Sequence, residues 1–552
     1  MIKYTPSAHR SLALFQTPFE RSLDASNRWV VMADMVPWDE MAKVFFSKLS
    51  QDSGRQTIDL RIVLGALMVK HIEDLSDERT IDYVQENIYA QYFVGLSSFA
   101  SEPIFVPSLF VKIRERLGEA GSAKLNDLMM SQAVRLKTIK HRRKSSDGYA
   151  PVEAEPVNTE VPTAGQLDQS ANEQQLATEV SAATDVAPIR NRGTVSLDAT
   201  VAPVHIVYPT DSHLLADCRR VSEQLIDELY LAGPELWPTK PRTYRREGER
   251  KAINFSKSRR KTKKQIRQAV KNELNYTRRN YKTIEGMLDL LKSNGRGCPW
   301  SYGQRRLYWI IQEICRQQAE MYKDRRRRVD DRIVSVHMPF IRPIKRGKGG
   351  GKNTEFGPKI SASITEGFVR ADRIDFDAFN ECGDLIKQVE GYKDRFGYYP
   401  ALVLADKIYW TNANRKWLKE RGIKIGGVAK GRKKEETKYE KEKNKRRNNQ
   451  RNEIEGKFGE GKMRYGMDLL FTRRPDTIRA TINLIFLAMN LAKCARATLF
   501  GYFSSFWEAY RSTITVFYAD ISQLPQLLLS PMAWSDGSDQ RPVNVAIGVA
   551  SF

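Results

Sequence analysis

A stretch of low complexity, residues 144–192, divides this chain of 552 residues into two unequal parts. The stretch is rich in Ser, Thr, Glu, Gln, Pro and Ala and contains almost no aromatic residues. Such a segment cannot bury enough apolar surface to offset the entropy that is lost when a chain becomes ordered. The sequence therefore predicts a disordered linker that separates an N-terminal domain, residues 1–143, from a larger second part.

The charge of the chain restricts the class of partner. Lys and Arg number 90 against 66 Asp and Glu, which gives a net charge of +24. An excess of this size favours a polyanion, and nucleic acid rather than a membrane surface. The sequence shows no apolar run that we expect to span a membrane and no secretory signal, and its five cysteines form no CxxC pair. These features predict a cytoplasmic protein without a zinc or disulfide framework.

Residues 36–136 show the apolar spacing of short helices, and Ser76 is a good N-cap for one of them. Short helices with tight connections are typical of a helix-turn-helix DNA-binding module. A small helical bundle used for dimerisation has the same pattern, and both interpretations stay open. If the domain contacts DNA, the candidate residues are Arg79, Lys112, Arg114 and Arg116.

The second part contains two strand-like apolar runs that carry an aspartate. Asp198 lies within the run 194–201, and Asp406 ends the run 401–406. Asp211 and Asp217, in the segment that follows the first run, are rivals for a metal-binding role. We favour Asp198 because a strand holds a ligand more rigidly than a loop does. An aspartate on an edge strand that faces solvent is the alternative interpretation.

Between these runs, residues 212–331 are basic and have the pattern of long helices, so we interpret them as an insertion between the first two strands of a core. Residues 333–374 are predicted to form strands joined by a loop rich in Gly and Lys. This loop lacks the GxxxxGK[ST] pattern of a nucleotide-binding P-loop, because Asn353 follows Lys352. Helical and strand-like segments then alternate, which completes a β-β-β-α-β-α order.

A charged stripe lies at residues 451–462, RNEIEGKFGEGK. Arg451 and Glu455 are four residues apart and share a helix face, to which Lys462 returns two turns later. A cation, a carboxylate and a second cation on one face suit a metal-bound, phosphate-rich partner. A solvated charged helix is the alternative for the stripe taken by itself.

The order Asp198, Asp406, Glu455 resembles the DDE triad of bacterial insertion-sequence transposases. The spacing of Arg451, Glu455 and Lys462 resembles the signature of the group named after the fifth insertion sequence, although Asn448 stands where that signature has tyrosine. The resemblance implies an α/β ribonuclease H-like core with a large helical insertion, preceded by an all-α N-terminal domain. The catalytic domain would span residues 193–500, with the insertion at 212–331 and a C-terminal tail at 501–552.

The resemblance implies metal-dependent cleavage of DNA at the ends of an insertion sequence, followed by strand transfer into target DNA. Asp198, Asp406 and Glu455 would hold Mg²⁺ (or Mn²⁺), with two ions expected, because hard cations prefer oxygen ligands. Water and then a 3′-hydroxyl would be the nucleophiles. Terminal inverted repeats and target DNA would be the partners, and a homodimer or higher oligomer is expected on the DNA. The expected DNA-binding residues are Arg451, Lys462, Lys345, Arg346, Lys348 and Lys352.

Two other functions remain open from the sequence. One is a ribonuclease H-like nuclease that cuts DNA without joining it. The other is a non-catalytic DNA-binding protein derived from a transposase, although all three carboxylates are present.

Overall fold

The computed structural model describes residues 6, 22–46, 57–145, 191–345, 354–426 and 437–522. The predicted linker lies almost entirely outside these ranges. Arg346, Lys348 and Lys352 also lie outside the described residues. A compact unit extends to Ala495, and a second unit begins at Arg496.

Six helices make up the regular structure of the N-terminal segment within residues 22–46 and 57–145. The second and third follow the predicted apolar patterns, and Ser76 caps the fourth by accepting a hydrogen bond from the Arg79 amide at 3.1 Å. The sixth helix is interrupted at Gly118, which has a φ of 57°. Glycine adopts this backbone conformation without the strain that a side chain would cause. The helices are α1 (Arg28–Met35), α2 (Trp38–Phe46), α3 (Leu60–Ile72), α4 (Asp77–Glu86), α5 (Ile88–Val94) and α6 (Ser108–Ser145).

A mixed five-stranded sheet lies in the second part of the chain. Its strands, with a separate two-stranded hairpin, are β1 (Thr194–Val201), β2 (Pro343–Lys345), β3 (Thr354–Phe356), β4 (Lys359–Thr365), β5 (Phe368–Asp375), β6 (Leu402–Leu404) and β7 (Lys424–Gly426). The order in the sheet is β5-β4-β1-β6-β7, and β2 pairs with β3 in the hairpin. Strands β5, β4 and β1 are antiparallel neighbours, whereas β6 and β7 run parallel to β1. The first strand in the chain is therefore central in the sheet.

Helices cover both faces of this sheet. Val195 and Leu197 of β1 pack with α11 (Leu385–Phe396) and α12 (Asn412–Glu420) on one face. Residues of β4 and β5 pack with α13 (Lys438–Arg464) and α14 (Pro475–Ser522) on the other. Asp198 is the cross-strand partner of Ala362, and such partners point to the same face. Asp198 therefore lies on the face that α13 and α14 cover.

Four helices lie in the chain between β1 and β4 and build a core of their own. They are α7 (Asp211–Leu231), α8 (Arg245–Lys257), α9 (Lys263–Ser293) and α10 (Tyr302–Asp324). Their apolar faces meet around side chains such as Leu215, Ile226, Ile284 and Ile311. The prediction of a strand at residues 333–341 is wrong. This stretch is irregular, and its apolar residues fill the two neighbouring cores.

The N-terminal helices dock on the outer edge of the sheet. Asn490 of α14 accepts a hydrogen bond from the backbone amide of Val369 in β5, at 2.9 Å. Asn126 of α6 donates to the Val369 carbonyl at 3.1 Å and accepts from Asn490 at 2.8 Å. These buried amides satisfy backbone groups of an edge strand, which would otherwise stay unpaired.

One helical segment among the described residues, Pro475–Thr498 of α14, is long and apolar enough to cross a membrane. Within its most apolar stretch, 83% is buried inside the protein. It fills the space beneath β4 and β5 together with α13. Its apolar composition is therefore explained by its place in the core.

Candidate functional site

Asp198 lies in β1, and Asp406 lies two residues beyond the end of its parallel neighbour β6. The register pairs Ser196 of β1 with Leu404 of β6, and each aspartate is two residues beyond that pair. Asp406 follows the buried Ala405 and caps a short 3₁₀ helix, where its carboxylate accepts a hydrogen bond from the Lys407 amide at 2.7 Å. Two carboxylates predicted from separate apolar runs therefore lie at the same level of the sheet.

Glu455 belongs to α13, which packs against β1, β6 and β7. Ile454 and Phe458 anchor that helix in the apolar core. Glu455 itself is 54% exposed and forms an ion pair with Arg451 at 3.2 Å. The predicted sharing of one helix face by Arg451 and Glu455 is thus present, and the pair lies on the side of the sheet that carries Asp198.

The electrostatic environment of Asp198 links it to Glu455. Burial raises the pKa of Asp198 from 3.8 to about 6, against the opposing effect of a hydrogen bond from the Ala199 amide. The negative charges of Glu381 and Glu455 raise this pKa further, and the charge of Arg451 lowers it. Asp198 and Glu455 are therefore close enough to interact through their charges.

Glu381 was not identified from the sequence. It begins a 3₁₀ helix between β5 and α11 and pairs with Lys359, the first residue of β4, at 2.7 Å. Tyr409 is fully buried near the same carboxylates. Burial raises the pKa of its phenol, and the charges of Glu381 and Asp198 raise it further. No local pattern marks Glu381 as a site residue, since the chain fold alone brings it near β1.

The carboxylates suit a hard divalent cation by their chemistry, since oxygen ligands are those that Mg²⁺ and Mn²⁺ prefer. Among the residues that the structure describes, no group of three or more His, Cys, Asp or Glu side chains is already gathered at the spacing of metal ligands. Asp198 nevertheless faces two further negative charges, and a cation would relieve their repulsion. The donor set therefore fits such an ion.

The rival aspartates take part in ion pairs of the insertion. Asp211 pairs with Arg332 and accepts a hydrogen bond from Gln318. Asp217 pairs with Arg220 at 2.7 Å and lies 3.3 Å from His213. Both carboxylates have local structural partners.

The predicted cations differ in how accessible they are. Lys345 ends β2 and is exposed, and Lys462 is partly buried on α13. Among the N-terminal candidates, the prediction that Arg114 contacts DNA is wrong. Its side chain is 4% exposed and makes two hydrogen bonds to the carboxylate of Asp77, at 2.6 and 3.0 Å.

Two segments of this chain match families of transposase domains. Residues 403–492, which include Asp406 and Glu455, match the family described as "Transposase DDE domain". Residues 17–116 match the family described as "Transposase domain (DUF772)". The two matches support a DDE transposase of insertion sequences, as the resemblance predicted, and they indicate DNA transposition in general. They do not confirm the group named after the fifth insertion sequence.

A curated relative is an uncharacterised protein, ORF8 in the nfe locus of Rhizobium meliloti. It is 27% identical over 127 residues, which is 23% of this chain. The match spans 61% of the length of that relative. No solved structure matches the chain significantly.

Proposed function

We propose that this protein is a DNA transposase that cuts DNA at the ends of an insertion sequence and joins those ends to target DNA. The observation that carries the proposal is the position of Asp198 within β1 and of Asp406 just beyond the end of the parallel neighbour β6, at the same level and beside the helix of Glu455. Three carboxylates on rigid elements suit a metal-assisted phosphoryl transfer. We expect the protein to act in the cytoplasm as a dimer or higher oligomer on DNA.

The topology of the sheet supports a ribonuclease H-like core. A central first strand has two antiparallel neighbours on one side and two parallel strands on the other. The helices α7 to α10 would then be an insertion after the first core strand, and α1 to α6 the N-terminal domain. In this assignment the first aspartate lies in mid-strand and the second follows the parallel strand next to it.

Asp198, Asp406 and Glu455 would hold the divalent ions, Mg²⁺ or Mn²⁺. When bound, two such ions activate the attacking oxygen and stabilise the leaving oxygen of a phosphodiester. The protein's own contribution is positional, because β1, β6 and α13 hold the three side chains through buried neighbours such as Leu197, Ala405 and Ile454. Arg451 would orient Glu455 or contact a phosphate near the scissile bond.

The insertion offers a surface that suits the phosphates of duplex DNA. From Arg245 to Lys264 the chain carries many exposed cations. The two acidic residues of this stretch, Glu247 and Glu249, form ion pairs within the insertion. Glu247 pairs with Lys251 at 2.7 Å, and Glu249 pairs with Arg219 and Arg220. Seven exposed cations make no ion pair with any described residue, namely Arg246, Arg250, Lys257, Arg259, Arg260, Lys263 and Lys264. Binding through this surface should weaken steeply as salt rises.

The decisive experiment uses the full chain, Mg²⁺ and a labelled DNA that carries both flanks of the coding region, mixed with a supercoiled target plasmid. Cleavage at discrete flank positions and covalent joining to the target support a transposase. Cleavage without joined product would instead identify a nuclease. Binding without cleavage in Mg²⁺ or Mn²⁺ would identify a non-catalytic DNA-binding protein.

A further inference from the structure

The outer face of α10 carries two large aromatic side chains in an unusual state of exposure. Tyr302 is 79% exposed and Trp309 is 68% exposed. Trp29, Trp38, Trp300 and Trp410, by contrast, are each less than 5% exposed. Tryptophan is a residue that normally contributes a large apolar area to a core or an interface. An exposed Trp paired with an exposed Tyr therefore indicates a surface that binds a partner.

The two rings lie on one face of the helix. They are seven residues apart, which is two turns, and this places them roughly 10 Å apart along the axis. Arg305 and Arg306 stand between them at the helical spacing of that same face, and both are exposed. The opposite face of α10 is buried in the insertion core through Ile311, Ile314 and other residues. The helix is thus fixed, and the aromatic-arginine face is held out to solvent.

The charge of this face selects among partners. Arg305 and Arg306 form no ion pair with any described residue, and the first acid that follows them in the sequence is Glu313. A second copy of this chain, docked through the same face by a twofold axis, would bring these arginines against one another. A polyanion with accessible ring faces satisfies both the arginines and the aromatic side chains.

We infer that Tyr302, Arg305, Arg306 and Trp309 form a platform for single-stranded DNA. Bases stack on the two rings, and the arginines contact the phosphates between them. Paired bases inside a duplex do not offer their ring faces, so the platform favours an unpaired segment. The inference rests on the proposed function, because cutting and joining two strands at staggered positions leaves short unpaired segments at the ends.

A cleft of about 410 Å³ adjoins the platform at the beginning of α10. Tyr302 and Arg306 line it together with Gly303, Val336 and His337. A base that stacks on Tyr302 could thus continue the strand into a pocket that has both apolar and hydrogen-bonding walls. The cleft and the platform form one continuous surface.

The experiment measures binding of the full chain to a fluorescent thymidine homopolymer and, in parallel, to a duplex of mixed sequence. Trp309→Ala and Tyr302→Ala should each weaken binding to the homopolymer about ten-fold or more. Binding to the duplex should change less than about three-fold by comparison, since stacking does not contribute there. Trp309→Phe keeps an aromatic ring and should retain most of the affinity for the homopolymer.

Tyr439→Ala is the matched control, because Tyr439 is a 72% exposed aromatic residue on the basic helix α13. Equal losses for Trp309→Ala and Tyr439→Ala would overturn the platform, as would a wild-type chain that does not bind the homopolymer. A change of oligomeric state in Trp309→Ala, with unchanged binding to the homopolymer, would show that a second copy covers this face. The cleavage assay on duplex DNA is a separate readout, so a failure of the proposed function is seen there and not in the homopolymer titration.

Discussion

Two clusters of carboxylates in this molecule differ in how their charge is balanced. In the insertion, Glu223, Glu249 and Glu273 all converge on Arg219, whose side chain is fully buried. At the sheet, Asp198 has two further carboxylates, those of Glu381 and Glu455, in its electrostatic environment. The first cluster contains its own cation at the centre, whereas in the second, among the described residues, the paired cations lie at the margins, in Lys359 and Arg451.

The pKa shifts of one carboxylate from each cluster, Glu249 and Asp198, run in opposite directions, whereas burial raises the pKa of Glu223 and of Glu273. Hydrogen bonds from Arg220 and then Arg219 lower the pKa of Glu249 to about 2, against the effect of its partial burial. Burial and neighbouring carboxylates raise the pKa of Asp198 to about 6. A cluster that is neutralised internally holds helices together, and a cluster that lacks a central cation suits an external one. The comparison therefore separates a structural ion network from a candidate catalytic site.

The largest expected effect tests the sheet cluster directly. Asp198→Ala, Asp406→Ala and Glu455→Ala should each reduce DNA cleavage by on the order of 10⁴-fold, since each would remove one of the proposed metal ligands. Binding of duplex DNA should stay nearly constant, because a carboxylate repels phosphates. Gel assays of cleavage and of binding measure the two effects. Wild-type cleavage by Asp406→Ala in Mg²⁺ would show that the assignment is wrong.

The insertion cluster should respond in stability instead. Arg219→Ala leaves two buried glutamates without their cation and should lower the free energy of unfolding by about 3–5 kcal/mol. Arg316→Ala is the control, because its partners Glu313 and Glu320 are exposed and its loss should have little measurable effect. Urea denaturation followed by circular dichroism compares the variants. Similar stability of the two variants would mean that the buried network does not hold the insertion.

The charged stripe of α13 should show an intermediate effect on the rate. Arg451→Ala and Lys462→Ala would each remove a proposed charge-assisted contact with a phosphate, which corresponds to about 1.5–3 kcal/mol and roughly ten- to a hundred-fold in cleavage. Thermal stability should change little. Arg464→Ala is the appropriate control, because Arg464 is exposed and lies nine residues from Glu455, on the opposite face.

Lys457 is unsuitable as that control, since it is only 13% exposed and pairs with Glu460 at 2.5 Å. If Arg464→Ala slows cleavage as much as Lys462→Ala, the stripe acts as general DNA-binding charge. That result would contradict the proposal that Arg451 and Lys462 contact a phosphate at the scissile bond.

The smallest expected effect concerns pH. The folded protein binds a proton at Asp198 more tightly than the unfolded chain does, so this group contributes stability at low pH that is lost as the pH rises from about 4 to 6. Glu249 has the opposite sign, since its stabilisation is present above its ordinary pKa of 4.5 and is lost as the pH falls towards about 2. Glu249 and Asp198 therefore respond to acid in opposite directions, whereas Glu223 and Glu273, whose pKa values burial raises, have the same sign as Asp198.

Asp198→Asn should consequently raise the melting temperature at pH 7 in EDTA by a few degrees. The shift of Asp198 corresponds to at most about 3 kcal/mol, and to about 1–2 kcal/mol after solvent screening. At pH 4 the variant and the wild type should melt alike, and Mg²⁺ should narrow the gap at pH 7 by neutralising the carboxylates. Differential scanning calorimetry measures this, and a variant that melts lower than wild type at pH 7 would contradict it.

The sequence by itself determined much of the local structure. The N-cap at Ser76, the apolar strand around Asp198 and the shared helix face of Arg451 and Glu455 all follow from spacing and residue type, because these patterns report the period of a helix or a strand. It also indicated the three carboxylates and the transposase class. The specific roles of Asp198, Asp406 and Glu455 stay predictions until the variants are measured.

Only the tertiary structure decided which of these residues meet. Glu381 approaches Asp198 because β4 and β5 bring a distant loop to the central strand, and Arg114 is withdrawn from solvent because Asp77 lies across from it. Asn126 donates a hydrogen bond to the Val369 carbonyl of the edge strand β5, and the sequence of its own helix does not predict this contact. Nor does the spacing of α10 show that Trp309 is exposed, because a helix pattern gives the faces and only packing decides which face is covered. The period of a helix or a strand can be read from residues that are close in sequence, whereas contacts between distant segments depend on the assembled fold.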